Sequence, residues 1–387
     1  MIHITNGTVL SEGKEHKWDV LIHDGKIVYA GPDAAEVLGR MNAGEVSVID
    51  ASGKYVSPGF IDIHTHGGAG ADFMDGSMEA YRTALHLHTS HGTTLIYPTT
   101  LTGAKDSLLD SVKSYQEIKA AGIEGAEMGG LHFEGPYFAY SKKGAQDPRY
   151  LRNPDPEEYM ELLEEAHGDI ARWSLAPELP GALEMAEKIS AKGVLVAMGH
   201  TDATFDEAMS AAKDGVNHAT HLFNAMSALA HRNPGVVGAA LASDNVSVEV
   251  IADTFHINPG LYSIVSKIKG DKMVLITDCT RAGGMPDGEY TLGGQKIIVN
   301  GIECLLEDGT IAGSVLKLNN AVKNVRDNTD LPLWKVVAAA SLNPAKAIGV
   351  SDRKGSLEVG KDADIIICDS EFNVEKTIIG GEIRYEA

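Results

Sequence analysis

Histidines and carboxylates directly follow short apolar runs at several places along this chain, and these residue types bind metal ions. Five of them are candidate ligands: His64, His66, Glu134, His200 and His221. Imidazole and carboxylate donors without a thiolate suit zinc, iron, manganese or cobalt. On an extended strand, residues i and i+2 point to the same side, so His64 and His66 can share one ion. We expect one or two divalent transition-metal ions, zinc or iron before manganese or cobalt.

A structural role is the competing interpretation for any single histidine. His86, His88 and His91 lie in or near a helical stretch and follow no strand, so we interpret them as structural. The five candidates differ from these because all of them fall at strand ends. That shared position favours one common site.

Asp278 follows another apolar run and is the candidate for moving a proton. A divalent metal lowers the pKa of water toward about 7 and so makes hydroxide available. A nearby carboxylate can accept the proton of that water and later give it to a leaving group. Asp278 could instead be a metal ligand only, and the two roles are compatible.

Eight β-like apolar runs alternate with helical segments, which is typical of βαβ units and a parallel sheet. We predict a (β/α)8 TIM-like barrel, in which residues after the strands meet at one face. The predicted strands are Phe60–Ile63, Thr93–Tyr97, Gly129–Phe133, Trp173–Ala176, Val194–Met198, Asn217–Thr220, Val248–Ala252 and Met273–Thr277. The plainest predicted helices are Ser107–Ala121, Pro156–Glu165, Pro180–Lys192 and Thr204–Asp214.

Both chain ends are rich in β-forming residues and in Asn-Gly, Asp-Gly and Gly-Gly turns, which are hairpin signals. These ends surround a different middle. We therefore predict a small β-sandwich domain from residues 1–56 plus 345–387, and a barrel domain from residues 57–344.

Composition restricts the partners and the compartment. The chain has 33 lysines and arginines against 54 aspartates and glutamates, a net charge of -21. Broad nucleic-acid binding needs a basic face, so no such partner is expected. The 3 cysteines lack a CxxC spacing, which favours a reducing cytoplasm. We find no signal-peptide pattern and no apolar run of the ~18 residues that a membrane span needs.

Segments in the same order along nearly the whole chain carry a family resemblance. Residues 58–67, Pro-Gly-Phe-Ile-Asp-Ile-His-Thr-His-Gly, resemble the first barrel strand of the amidohydrolase superfamily. More specifically, the chain resembles the N-acetylglucosamine-6-phosphate deacetylases. The matching segments are residues 131–136, 142–145, 176–178, 199–204, 220–226, 251–253 with His256, 276–278, 311–314 and 342–345. The motifs His-Leu-Phe-Asn-Ala-Met and Glu-Gly-Pro are specific to this branch, whereas His-x-His is not.

The resemblance implies a role for each matching position. It makes Glu134, His200 and His221 metal ligands and Asp278 the catalytic acid and base. It implies sugar contacts from Ala145, Gln146, Asn224 and Ala225, and an acetyl-sugar pocket lined by Ile311, Ala312 and Gly313. It also implies that Arg232 and His256 bind the phosphate of a small phosphorylated amino sugar. Arg232 would reach the site of a neighbouring subunit in a homodimer.

Two departures from the family pattern leave questions open. Some members lack the histidine pair at positions 64 and 66 and hold one metal. Because this chain has both His64 and His66, it could hold a second ion. Some members have His where Gln146 stands, which leaves the choice between two sugar epimers open. The expected reaction is hydrolysis of the acetamide of N-acetylglucosamine 6-phosphate. The alternatives are N-acetylgalactosamine 6-phosphate, another N-acyl substrate, and a silent metal-binding barrel, which Asp278 and Arg232 argue against.

Overall fold

The computed structural model describes residues 1–11, 13–41 and 45–387 of the chain. Its N-terminal part consists of short strands and one short helix. These are β1 (Ile2–Thr5), β2 (Thr8–Ser11), β3 (Lys14–His16), β4 (Asp19–His23), β5 (Lys26–Gly31), α1 (Ala35–Arg40), β6 (Ser47–Asp50) and β7 (Tyr55–Pro58).

Eight parallel strands then form a nearly closed barrel, which confirms the predicted fold class and all eight predicted strands. The barrel strands are β8 (Phe60–Thr65), β11 (Thr93–Thr100), β13 (Leu131–Glu134), β14 (Ile170–Leu175), β15 (Leu195–Met198), β16 (Val216–Ala219), β17 (Ser247–Ile251) and β18 (Met273–Ile276). Three two-residue strands accompany them: β9 (Gly67–Gly68), β10 (Ala71–Asp72) and β12 (Glu127–Met128). The first and last strands meet where the Asp278 N–H donates to the His64 carbonyl at 2.9 Å.

Helices surround the barrel, and several begin at a side chain that accepts backbone N–H groups. Thr204 and Glu207 form a reciprocal capping box at the start of one helix. Gly181 has a φ of 85° and caps another, so that helix begins at Ala182 and not at the predicted residue 180. The helices are α2 (Met78–Ser90), α3 (Lys105–Ala121), α4 (Pro156–Ala166), α5 (Ala182–Ser190), α6 (Phe205–Lys213), α7 (Gly235–Ala242) and α8 (Gly260–Lys269). Short 3-10 helices cover Phe73–Asp75, Tyr140–Lys142 and Gly270–Lys272.

A three-stranded antiparallel sheet after the last barrel strand was not predicted. It contains β19 (Gly288–Leu292), β20 (Gln295–Asn300) and β21 (Glu303–Leu306). Gly293 and Gly294 turn between the first two strands with φ values of 55° and 79°. Such a glycine pair is a hairpin signal, so the sequence did contain the information. The Gln295 amide donates to the Ala145 carbonyl at 2.6 Å, which places this hairpin over the barrel mouth.

The remaining elements return the chain to the N-terminal part. They are α9 (Leu318–Asp327), α10 (Leu333–Ala340), α11 (Leu342–Ala347), β22 (Ile365–Cys368), β23 (Val374–Ile379) and β24 (Glu382–Glu386). One sheet has the order β5-β4-β1-β6 and the other the order β24-β23-β22-β7-β2-β3, so both chain ends contribute as predicted. The predicted boundary between residues 344 and 345 falls inside α11, and the exact domain limits stay a prediction. Among the described residues, no helix combines the length and apolar character needed to cross a membrane.

Lys354 joins the barrel to the terminal sheets through buried charge pairs. Its side chain is 2% exposed, and its Nζ lies 2.6 Å from Glu127, 2.6 Å from Asp364 and 3.2 Å from Asp362. Burial disfavours its charge, but Asp364 and Glu127 outweigh burial and raise the pKa of Lys354. Glu127 belongs to the barrel sheet, and the two aspartates directly precede the C-terminal strands.

We expect Lys354→Ala to lower the free energy of unfolding by about 3–5 kcal/mol, because the buried Asp364 loses its cation, whereas Glu127 and Asp362 keep Arg353. Urea unfolding measures the change. Lys346→Ala is the matched control, since Lys346 forms an exposed pair with Asp271 at 3.1 Å and should cost less than about 1 kcal/mol. Equal effects of the two substitutions would contradict this role for Lys354.

Candidate active site

The five predicted metal ligands meet at the carboxyl ends of the barrel strands. They form two clusters, His64–His66–Glu134 and Glu134–His200–His221, and the ligand atoms of each cluster all lie within 4.8 Å of one another. Glu134, the last residue of β13, belongs to both clusters. Its two carboxylate oxygens could therefore serve two neighbouring ions.

The second cluster is compact enough for a metal ion. Glu134 Oε1 lies 3.2 Å from His200 Nε2 and 3.1 Å from His221 Nε2, and the two nitrogens are 3.1 Å apart. Tetrahedral ligands at zinc distances near 2 Å would be separated by about 3.3 Å. The three donors are thus already near ligand spacing.

Hydrogen bonds on the far side of each imidazole aim its other nitrogen into the site. The Nδ1 atoms of His66, His200 and His221 lie 3.3, 2.9 and 3.2 Å from the carbonyl oxygens of Thr99, Lys142 and Asn224. A carbonyl only accepts, so each ring donates through Nδ1, and a neutral ring has its lone pair on Nε2. This is the tautomer that binds a metal through Nε2.

His64 has one ring nitrogen that is hydrogen-bonded and one that is not. Its Nδ1 contacts the Glu249 carboxylate at 3.1 Å, while its buried Nε2 has no hydrogen-bond partner among the described residues. Buried polar atoms are nearly always satisfied, so an unpartnered one needs an explanation. A metal ion beside Glu134 supplies one, and the residues present fit a divalent ion.

The backbone is strained where the site residues leave their strands. His200, His221 and Asp278 have φ values of 45°, 32° and 51°. Residues other than glycine seldom adopt this left-handed region, and such strain concentrates at functional sites. The turn at each strand end directs its side chain across the barrel mouth.

Asp278 contacts the first cluster. Its Oδ1 lies 3.1 Å from His66 Nε2 and 3.4 Å from His64 Nε2. Burial raises the pKa of Asp278, but the two imidazoles outweigh burial and hold it below its usual value. Asp278 is therefore a carboxylate, as both a proton acceptor and a ligand must be.

Contacts within the clusters shift the pKa values of His64, His66 and Glu134. Burial disfavours protonated imidazole, but Asp278 and Glu134 raise the pKa of His64 to about 9 and of His66 to about 10. Burial raises the pKa of Glu134, but His64, His200 and His221 outweigh burial and hold it well below its usual range.

A cavity of about 320 Å³ opens above the clusters, at the lower end of the size range of small-molecule sites. His64 lies beneath it. The predicted residues that line it are His66, Glu134, Ala145, Gln146, His200, His221, Asn224, Ala225, His256, Asp278, Ile311 and Gly313.

His256 is held in place by Asp253. Its Nδ1 lies 2.6 Å from Asp253 Oδ2, and Asp253 Oδ1 accepts the backbone N–H groups of Phe255 and His256. The Nε2 of His256 has no hydrogen-bond partner among the described residues. This nitrogen is available to a ligand in the cavity.

Three predicted contacts have surroundings that the sequence did not indicate. Arg232 is exposed and lines a neighbouring cavity, which shares Lys142 with the first one. Ala312 is fully buried in the hydrophobic cluster of the hairpin, and its part in substrate binding stays a prediction. The Gln146 amide donates to Glu134 Oε2 at 2.8 Å, and its carbonyl accepts the Thr102 N–H at 2.9 Å.

Sequence reasoning missed a charged network below the clusters. Glu249 and Arg172 form an ion pair, and both are fully buried inside the barrel. His132 and His218 lie beside them and are also fully buried. The signal that could have found this network was a glutamate inside one predicted barrel strand and an arginine directly before another.

The chain belongs to the amidohydrolase family. The model described as "Amidohydrolase family" matches residues 55–384. Its relatives include N-acetylglucosamine-6-phosphate deacetylases: the one from Bacillus subtilis (strain 168) is 41% identical over 332 residues, 85% of this chain and 84% of the relative. An N-acetylgalactosamine-6-phosphate deacetylase from Escherichia coli O157:H7 is 34% identical over 339 residues, 87% of this chain and 90% of the relative.

Solved structures agree over the whole chain. The N-acetylglucosamine-6-phosphate deacetylase from Pasteurella multocida has a TM-score of 0.93 and 32% identity, and covers 100% of both chains. A mutant of the deacetylase from Mycobacterium smegmatis, in complex with N-acetyl-D-glucosamine-6-phosphate, has a TM-score of 0.91 and 31% identity, and covers 99% of both chains. The resemblance stated from the sequence is confirmed.

Proposed function

We propose that this protein hydrolyses the acetamide of N-acetylglucosamine 6-phosphate to glucosamine 6-phosphate and acetate. The observation that carries the proposal is one cavity that joins two histidine clusters, Asp278 and the unpartnered Nε2 of His256. Deacetylases of this substrate resemble the chain over nearly its full length. Its 3 cysteines are free and buried, and we place the protein in the cytoplasm.

The metal would be held by His64, His66, Glu134, His200 and His221, and zinc or iron suits these donors before manganese or cobalt. When bound, a divalent ion lowers the pKa of water and polarises a carbonyl oxygen. Glu134 and the four imidazoles fix where that chemistry occurs.

Asp278 moves the proton. Its carboxylate lies at the cavity wall beside His66, within reach of a water molecule that attacks the acetamide carbonyl. It accepts the proton of this water and then donates it to the nitrogen of the leaving amine. The amine departs as the C–N bond breaks, and the acetyl group leaves as acetate.

The phosphate would bind at the side of the cavity where His256 presents its Nε2. Asp253 fixes the imidazole through Nδ1, so Nε2 can contact a phosphate oxygen. Arg232 lines the adjoining cavity of its own chain, and we propose that it serves the site of a second copy in a homodimer. A charge-assisted contact of this kind binds a doubly charged ester strongly.

Acetate release from a panel of N-acetylhexosamines, each with and without the 6-phosphate, tests the proposal. We expect N-acetylglucosamine 6-phosphate to be the best substrate and its unphosphorylated form to be poor. Preference for N-acetylgalactosamine 6-phosphate would move the assignment to the other epimer. Equal cleavage with and without phosphate would contradict the phosphate site.

Removal of the arginine should act on substrate binding. We expect Arg232→Ala to raise KM for the phosphorylated sugar roughly 10- to 150-fold. The loss of a charge-assisted contact weakens substrate binding by about 1.5–3 kcal/mol. Steady-state kinetics measures KM, and the matched control is Arg384→Ala in the last strand. An unchanged KM in Arg232→Ala would contradict the assignment.

The number of metal ions per chain follows from the two clusters. We expect more than one equivalent in protein purified without chelator, because each of the two clusters would hold one ion and Glu134 belongs to both. His64→Asn combined with His66→Asn should lower the content toward one equivalent in elemental analysis. A single equivalent in the native protein under saturating zinc, iron or manganese would contradict a two-metal site.

A further inference from the structure

A fully buried carboxylate, Glu249 on β17, lies directly beneath the two ligand clusters. Arg172 on β14 forms an ion pair with its Oε1, and His218 Nε2 lies 3.2 Å from the same oxygen. Arg172 is itself fixed, since it donates to the Ile63 carbonyl at 2.9 Å and the Thr220 hydroxyl at 3.1 Å. One oxygen of Glu249 is thus used to anchor the side chain inside the barrel.

The other oxygen reaches both clusters. Glu249 Oε2 accepts from His64 Nδ1 at 3.1 Å and from the backbone N–H of His221 at 3.0 Å. His64 belongs to the first cluster, whereas His221 belongs to the second. A single atom therefore connects a ligand of each cluster from the side opposite the cavity.

Each of these contacts fixes a feature that metal binding needs. Donation through Nδ1 leaves the His64 Nε2 aimed at Glu134 and Asp278, 3.5 and 3.4 Å away. The N–H bond at His221 supports a backbone with a φ of 32°, which a non-glycine residue seldom adopts. Loss of the acceptor would release the ring of one ligand and the backbone of another.

We propose that Glu249 is a positioning residue that sets the geometry of both metal clusters through its Oε2 atom. The inference rests on the proposed metal-dependent function and goes beyond it, because Glu249 does not line the cavity. Loss of one histidine ligand should weaken one cluster, whereas loss of Glu249 should weaken both. Partners that orient metal ligands typically contribute 10- to 100-fold to affinity.

Glutamine cannot replace Glu249 at this position. With its carbonyl toward His64 and His221, its amide would point two N–H donors at Arg172 and His218. With the amide reversed, the acceptor for His64 and His221 is lost. Aspartate keeps the charge beside Arg172. Its side chain is one methylene shorter, so its carboxylate cannot reach both Arg172 and the pair of His64 and His221.

The test is titration of the metal-free protein with Zn²⁺ in competition with a chromophoric chelator, and elemental analysis gives the stoichiometry. We expect Glu249→Gln and Glu249→Asp to weaken both equivalents by about 10- to 100-fold. His218→Gln is the matched control, because it alters a contact to Oε1 and leaves those to Oε2; it should shift both affinities far less. Thermal unfolding of the metal-free proteins measures the general stability of each variant. We expect the ranking of the variants by unfolding temperature to differ from their ranking by metal affinity.

Each outcome either supports the inference or overturns it. Native protein that binds two equivalents while both Glu249 variants bind as tightly overturns it and leaves the proposed function intact. Weakening at one cluster only also overturns it. Should Glu249→Gln fail to fold, the affinities of Glu249→Asp decide the question. Native protein that binds no Zn²⁺ overturns the proposed metal dependence together with this inference.

Discussion

Asp278→Asn is expected to lower kcat for acetate release by about 10²–10⁴, the range for loss of a general acid and base. The amide has the shape of the carboxylate but accepts no proton from water at neutral pH. Asp278 lies 3.1 Å from His66 Nε2 and lines the cavity, and we propose that its carboxylate takes the proton of the attacking water there. Steady-state kinetics at saturating substrate measures the fall.

Metal content distinguishes the two roles of Asp278. As the proton carrier, the asparagine variant should keep most of its metal, whereas a residue that is only a ligand should lose metal with activity. Asp271→Asn is the matched control, because Asp271 is exposed and pairs with Lys346 on the outside of the barrel. Near-native turnover of Asp278→Asn at full metal occupancy would show that another group carries the proton.

Glu134→Gln is expected to have the largest effect on metal binding. Glu134 is the one residue shared by the two clusters, and both of its oxygens contact imidazoles at 3.1–3.3 Å. A neutral amide binds a divalent ion weakly and offers one oxygen in place of two. We expect affinity for both ions to fall by at least ~100-fold, beyond the effect of residues that only orient ligands.

Glu178→Gln, the same change at a nearby glutamate, is the matched control for Glu134→Gln. Glu178 accepts the Thr201 hydroxyl and the Asp202 N–H at 2.6 Å each, close to His200 but outside both clusters. Glu178→Gln should leave metal content near the native value. If Glu134→Gln retains two equivalents in elemental analysis after dialysis, the shared-ligand geometry is wrong.

The sequence predicted the barrel well because two independent patterns agree in it. Apolar runs indicate strands, and polar residues of metal-binding type follow them. In a parallel barrel those positions share one face, so distant residues such as His64 and Glu134 could be placed together. The resemblance to known deacetylases then assigned roles that spacing alone does not give.

Other features depend on tertiary contacts that no local pattern records. Glutamate and arginine are residue types usually found on the surface. Only the closed barrel shows that Glu249 and Arg172 form an ion pair inside it. The direction of His221 depends on a left-handed backbone that a non-glycine residue seldom adopts. The packing of Ala312 in the hydrophobic cluster of the hairpin depends on a sheet that was not predicted.

Metal-dependent deacetylation is tested by acetate release from N-acetylglucosamine 6-phosphate as Zn²⁺ or Fe²⁺ is added to metal-free protein. We expect negligible hydrolysis without metal and a rate that rises with bound metal until the clusters are filled. The Asp278→Asn protein should fill in the same way and stay slow. Acetate release at the full rate from protein shown to contain no metal would contradict the proposed function.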